Sequence, residues 1–393
     1  MNARLAHRVQ RLVPSPTLAV STRAKAMTDA GYPVISLAAG EPDLPTPTVA
    51  IEAAIKALRD GETRYTPVKG IPELLNEVAH ESFLARGHRH DAATEVVVTV
   101  GAKQALFNIF QVLLDDDEEV LLPQPSWVSY APQVELAGGV GVAVEGRAEE
   151  GFFPTIEALE RAVTPKTRGL VLTSPSNPTG LIATPEQVEG VSRWAVERGV
   201  MIVSDEIYRR IRFSDAPALV SPLSIVGSEH VVVIDGVSKS HCMTGWRIGW
   251  ALGPAAIIGA MAKVQSHQTS NPATVSQYAA LAALKHADAH VDDLVRSLEK
   301  RRNLFVPRID SITGVTALHP QGAFYVFVDV REVLDEHEDD VAFCQALLKH
   351  QSVAVVPGSA FGSPGWLRMS IAVPTEDLEV AADRLETFVN DRI

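Results

Sequence analysis

Short β-branched apolar runs alternate with segments of helical periodicity through much of the chain. "EVVVTVG" leads into "AKQALFNIFQVLL", "GLVLTSPSNPTG" precedes "TPEQVEGVSRWAVERG", and "VMIVSDEIY" and "HVVVIDG" follow. Apolar runs this short, closed by Gly or by polar residues, predict buried strands joined by crossover helices in a mostly parallel sheet. After about residue 265 the rhythm changes to long helices, "ATVSQYAALAALKHA" and "HVDDLVRSLEKRRNLFVPRI". Alternating strands, "GAFYVFVDV" and "VAVVPGSAFG", come after them. The shift predicts a second, α+β domain. No low-complexity linker or internal repeat separates the two parts, so close packing is expected.

Composition narrows the class. A chain of 393 residues that is 46% hydrophobic and 21% charged can bury a substantial core. A net charge of −13 with no basic block argues against a nucleic-acid partner, so any anion must be bound by a local site. Two cysteines, Cys242 and Cys344, are too few for a disulfide framework and predict a reducing compartment, taken as the cytoplasm. No apolar run has the length of a membrane span or secretory signal. The N-terminus holds Arg4, Arg8, Arg11, Arg23 and Lys25 but no acid before Asp29, the composition of an organelle transit peptide. Leu5, Val9 and Leu12 at helical spacing, followed by the turn "VPSPT", describe instead a short helix packed on a partner. The structural reading is preferred.

Open parallel sheets bind ligands at the carboxyl ends of their strands. Unusual polar residues fall there: Asp205 and Tyr208 after "VMIVS", Asn177 after "LVLTSPS", Lys239 after "VVVIDGVS", and Gly101 to Lys103 after "EVVVTV". Each has an ordinary structural alternative as a cap, a turn residue or a solvated lysine. Their convergence on one sheet edge describes a site.

Pyridoxal phosphate chemistry wants this set. Its aldehyde needs a lysine for an imine, its ring nitrogen needs a fixed carboxylate, and Lys239 and Asp205 suit those tasks. Asn177 and Tyr208 can donate to the phenolic oxygen. Backbone amides in "VGAKQAL" and the cation Arg247 suit the phosphate, and Trp127 in "PSWVSY" can stack on the ring. Arg368, flanked by the apolar Trp366, Leu367 and Met369, offers a bidentate match to a carboxylate.

Six motifs, "AGEPDLPTP", "YTPVKGIPELL", "SPSNPTG", "SDEIY", "SKSHCMTGWRIG" and "WLRMSIA", stand in the order of the class I aminotransferases of fold type I. From about residue 5 to its end the chain resembles that family, most closely its bacterial aspartate and prephenate aminotransferase subgroup. The resemblance implies an α/β fold. A large cofactor domain, residues 49–285, would carry a mostly parallel sheet flanked by helices, and residues 1–48 with 286–393 would form a smaller α+β domain. It also implies a homodimer with shared active sites. By the same resemblance Lys239 is the Schiff-base lysine, Asp205 the pyridinium partner, and Tyr208 and Asn177 the partners of the phenolic oxygen. Ser238 and Arg247 resemble phosphate ligands beside Gly101, Ala102 and Lys103, and Tyr65 the tyrosine that reaches the neighbouring subunit's phosphate. Arg368 and the backbone of Gly40 resemble the substrate carboxylate contacts, with Trp127 and Asn177 beside them. Thr17 and Lys103 resemble the positions that hold a distal carboxylate, so aspartate or glutamate is the expected donor and a 2-oxo acid the acceptor. Cys242 departs from the family, which more often has Gly, Ser or Ala there; packing or altered reactivity would explain it.

Three other readings stay open at this point. One is elimination, replacement or oxidase-type chemistry on the same cofactor, because bond choice is not written in fold motifs. A second is a regulatory or binding protein with an aminotransferase-like domain. The third is a NAD enzyme, for which "VTVGAKQAL" lacks the G-x-G-x-x-G spacing. No metal site is expected.

Overall fold

A computed structural model describes residues 5–13 and 16–392. Its central sheet has seven strands in the spatial order Val96–Val100, Ile248–Leu252, Val231–Gly236, Met201–Asp205, Thr167–Thr173, Glu119–Pro123 and Val140–Val144. Only Ile248–Leu252 runs against the others. The "VVVI" run shows why these strands are apolar throughout. Val231 and Val233 join the core on one sheet face, and Val232 and Ile234 join the core on the other. Helices cover both faces, so no alternation with polar residues survives.

The carboxyl ends of the parallel strands share one edge. Asp205 ends its strand, Gly101 follows Val100 directly, and Lys239 lies in the turn just beyond Gly236. The site residues therefore share an edge because their strands share a direction.

A four-stranded antiparallel sheet, Val356–Pro357, Trp366–Ser370, Tyr325–Asp329 and Thr316–Ala317, forms the C-terminal layer. "VAVVPGSAFG" resolves into two two-residue strands and a 3-10 turn, Gly358–Phe361, instead of one continuous strand. Alternation along Trp366–Ser370 sends Leu367 and Met369 into the core and leaves Arg368 on the opposite face. The helix Asp288–Asp310 packs on this layer through Leu294, Leu298, Phe305 and Ile309, a spacing of four or seven. Its Arg302 is fully buried, bonded to Asp215 at 2.8 Å and to the Pro320 carbonyl at 2.9 Å. Ile207, Tyr208, Ile211 and Phe213 also join this second core, so the segment that leaves Asp205 ties the two layers together.

The N-terminal stretch contains a helical turn, His7–Gln10, and the helix Pro16–Asp29. Leu5 and Val9 are about half exposed, so the first turn does not bury its apolar positions within this chain. Arg4 and the Pro14–Ser15 part of "VPSPT" lie outside the described residues. Among the described residues no helix is long and apolar enough to cross a membrane, and no metal-ligating cluster occurs.

Candidate active site

A cavity of about 660 Å³ opens where the carboxyl edge of the large sheet meets the C-terminal layer. Its walls take in Thr17, Gly40, Ala102, Lys103, Trp127, Asn177, Asp205, Tyr208, Ser238, Lys239, Arg247 and Arg368. These residues come from every part of the sequence, from the helix Pro16–Asp29 to the strand Trp366–Ser370. Two expected residues stand apart. Gly101 lies behind Arg247 instead of on the wall, and Tyr65 is 89% exposed on the surface.

Lys239 donates to the carbonyl of Gly40. Burial pushes its ammonium pKa down to about 8, with Arg368, Arg247 and Lys103 adding to the effect and Glu41 opposing it. A lysine near this value supplies a neutral amine at moderate pH, the form that attacks carbonyls. Asp205 is buried at the strand end, where burial raises its pKa to about 6. Tyr130 donates to its Oδ2 at 2.7 Å and the Ile207 amide to Oδ1 at 3.3 Å. These two bonds favour the ionised form against burial. A cation placed beside Asp205 would complete the balance.

Arg368 lines the same cavity. Nη1 donates to Asn177 Oδ1 and Nη2 to the Ala38 carbonyl, each at 3.0 Å, with the rings of Tyr325 and Phe361 within 5.0 Å of the guanidinium carbon. Its buried Nε has no hydrogen-bond partner among the described residues. Burial lowers its pKa, so this is a desolvated cation whose fork is only partly matched. Such a group wants a carboxylate. Tyr208 and Tyr325 share a 3.1 Å hydrogen bond between their hydroxyls, and burial raises both pKa values, keeping both phenols protonated as donors.

A second anion cradle lies at the N-terminus of the twelve-residue helix Ala102–Leu113. No side chain caps this end, so the first amides are left for a ligand. Gly101 has φ 76°, and a Cβ there would come within 2.4 Å of Arg247 Nη2. A Cβ at Gly249 would meet the Ala102 nitrogen at 2.2 Å. Two glycines thus let backbone and guanidinium close on one point, with Ser238 on the same cavity wall. This donor set suits a phosphate. Lys103 Nζ lies 4.8 Å from the Trp127 ring centre, and burial followed by Arg247 lowers its pKa. The cavity wall carries Lys103, Lys239, Arg247 and Arg368 against Glu41 and Asp205, an excess of two cations in a chain of net charge −13.

Sequence reasoning passed over four wall residues. Tyr130 closes "PSWVSY" three positions after Trp127, where nothing local gives its hydroxyl a task. Tyr325 falls within the strand pattern of "GAFYVFVDV", where an inward hydroxyl carries no local signal. Glu41 and Thr244, joined by a 2.6 Å hydrogen bond across 203 positions, have none either. Cys242 does not line the cavity. It is buried in the second core, and burial raises its thiol to about 12, which supports packing over reactivity.

The family model "Aminotransferase class I and II" matches residues 32–385. The chain is 45% identical to the aspartate aminotransferase of Geobacillus stearothermophilus, over 99% of this chain and 100% of that one. Against the aspartate/prephenate aminotransferase of Thermus thermophilus, identity is 42% over 97% of each. Among solved structures, the Thermus thermophilus aspartate aminotransferase with maleate superposes with a TM-score of 0.93 at 41% identity, covering 98% of this chain and 99% of that one. The aspartate aminotransferase from Rhizobium meliloti gives 0.95 at 36% identity over the whole of both chains. A cavity that pairs an activated lysine with a buried carboxylate and two anion sites is what amino-group transfer needs, and family membership and site agree: the chain belongs to the class I and II aminotransferases.

Proposed function

We propose that this aminotransferase uses pyridoxal phosphate to move the amino group of a dicarboxylic amino acid, aspartate or glutamate, to a 2-oxo acid such as 2-oxoglutarate or oxaloacetate. The observation that carries this reading is that two further cations, Arg368 and Lys103, line the cavity of Lys239 from different elements. Arg368, with its Nε unpartnered among the described residues, comes from the strand Trp366–Ser370, and Lys103, beside Trp127, from the start of the helix Ala102–Leu113. A lysine at a helix N-terminus is disfavoured by the dipole and needs a compensating anion. Several relatives bear the name aspartate aminotransferase, and one was solved with maleate, a dicarboxylate. Names that include prephenate support a side activity on prephenate or aromatic oxo acids.

The residues present fit the cofactor. The uncapped amides of Ala102 and Lys103, with Ser238 and Arg247, would hold its phosphate, and Asp205 its ring nitrogen. Asn177 and Tyr208 would hold its phenolic oxygen, and Trp127 would cover its ring. When bound, pyridoxal phosphate supplies an aldehyde that condenses with amines and a ring that accepts the electron pair released at the substrate α-carbon. The protein does the rest. Arg368 and the Gly40 backbone bind the α-carboxylate, and Lys103 with Thr17 binds the distal one. Lys239 Nζ takes the α-proton as a base and gives it back as an acid. Asp205 stays ionised beside the positive ring nitrogen, which offsets its burial. Release of a 2-oxo acid before the second substrate binds gives ping-pong kinetics.

The same reading extends to assembly. Residues 49–285 would form the cofactor domain, and residues 1–48 with 286–393 the smaller one, with substrate bridging Arg368 and the large sheet. The exposed Tyr65 would reach the phosphate of a second copy in a homodimer, and the exposed Leu5 and Val9 suit the same partner. The cytoplasm is the proposed location.

A donor panel tests the substrate. Lys103→Met should lower kcat/KM for aspartate by about ten- to a hundredfold, the value of one charge-assisted hydrogen bond, and change alanine or phenylalanine much less. An equal loss for all donors would assign Lys103 to the phosphate alone.

A further inference from the structure

The segment that leaves Asp205 faces two cavities. Ile207 and Tyr208 line the active cavity, whereas Arg209, Arg210 and Arg212 line a separate cleft of about 490 Å³ with which it shares no wall residue. Arg86, at the end of the helix Pro72–Arg86, and Arg296, on the helix Asp288–Asp310, also face it. Five guanidinium groups thus meet only two carboxylates on the wall, Glu206 and Asp292.

Of the two wall carboxylates, Glu206 is already engaged. Glu206 accepts from Arg86 at 2.8 Å, from Ser204 at 2.9 Å and from Ser221 at 2.5 Å. Asp235, behind the wall, accepts from Arg86 Nη2 at 2.9 Å and leaves Arg209 only a 3.5 Å approach. The buried Nε of Arg209 consequently has no hydrogen-bond partner among the described residues. Arg212 makes only a long bond, 3.4 Å, to the Pro217 carbonyl. Arg210 is held by the exposed Asp288, with Glu81 at 4.0 Å and His241 Nε2 at 3.4 Å, and Arg296 by the exposed Asp293. Burial, then the neighbouring Arg86, lowers the Arg209 pKa, with Asp235 and Glu206 opposing the shift.

Like charges gathered in a cleft with unmatched donors are stabilised by an anion that offers several oxygens at once. The net charge of −13 gives no general attraction for anions, so the concentration of arginine is local. We propose that this cleft is a second ligand site, which takes a small oxyanion bearing a phosphate or several carboxylates on Arg209, Arg212 and Arg296. The ligand would bridge the segment after Asp205 to the helix Asp288–Asp310.

Calorimetric titration of the holoenzyme with inorganic phosphate and with citrate, at fixed ionic strength, tests this. Saturable binding of at least one probe is expected; preference for phosphate identifies a phosphorylated ligand, and preference for citrate a polycarboxylate. The double variant Arg212→Gln/Arg296→Gln changes exposed side chains and should weaken that binding about ten- to a hundredfold. Basal amino transfer should be unchanged in it. Lys103→Met in the active cavity should leave the binding intact. The proposal fails if neither probe binds, if binding survives the double variant, or if it is lost with Lys103→Met. In each case the arginines serve only as an internal charge network.

Discussion

Lys239 and Asp205 carry opposite consequences of the same burial. The lysine loses its proton more easily, with a pKa near 8, and the carboxylate holds one more tightly, with a pKa near 6. At neutral pH the fall from 10.5 to about 8 raises the neutral fraction of Lys239 by roughly 300-fold. The sign follows directly: below about 8 the amine is protonated and cannot attack an aldehyde. Attachment of pyridoxal phosphate to the apoenzyme should therefore slow about tenfold per pH unit below that point and level off above it. Absorbance after stopped-flow mixing reads the rate, and Lys239→Ala should fold yet leave no cofactor fixed covalently to the chain after borohydride reduction. A rate still rising tenfold per unit beyond pH 9 would show that Lys239 keeps an ordinary lysine pKa.

At the scale of elements, the strand Val96–Val100, Gly101 and the helix Ala102–Leu113 make one device. The positive φ of Gly101 turns the chain so that helix amides and Arg247 approach the same point. Gly101→Ala forces a strained backbone and a clash, so stability should fall by about 1–3 kcal/mol and cofactor retention should weaken. Thermal unfolding and equilibrium dialysis read the two effects. Unchanged values in both would remove the glycine from the cradle. The same elements show how far the sequence could be read. Strands such as Val231–Gly236 were legible because burial on both faces leaves a continuous apolar run. Glu119–Pro123 and Val140–Val144 are as short, yet Pro123 and Gly141 blur the run, and the order of all seven strands depends on contacts between distant segments. Residues at or just past a strand end, such as Asp205, Asn177 and Lys239, could be placed from the pattern alone. Arg368 needed the alternation of its strand, while Tyr130, Tyr325 and Glu41 reach the cavity through tertiary contacts with no local signature.

At the scale of the molecule, the cavity exists because two cores meet. Arg301 on the helix Asp288–Asp310 clamps Asp43 with bonds of 2.9 and 2.8 Å, fixing the loop that carries Gly40 and Glu41 over Lys239. A carboxylate bound between Arg368 and the large sheet would draw the same parts together. If a second copy completes the phosphate site, chains carrying Tyr65→Phe should regain activity when mixed with chains carrying Lys239→Ala, because some hybrid sites then carry neither change. Purified hybrids no more active than the Tyr65→Phe homodimer would place Tyr65 outside the site. By the proposed function, this cavity exchanges an amino group with a dicarboxylic acid in two separable halves. Holoenzyme mixed with L-aspartate and no acceptor should release oxaloacetate stoichiometric with active sites and lose its aldehyde-form absorbance, and 2-oxoglutarate added next should restore that absorbance while yielding glutamate. Continuous release of ammonia, or absorbance that 2-oxoglutarate does not restore, would contradict it.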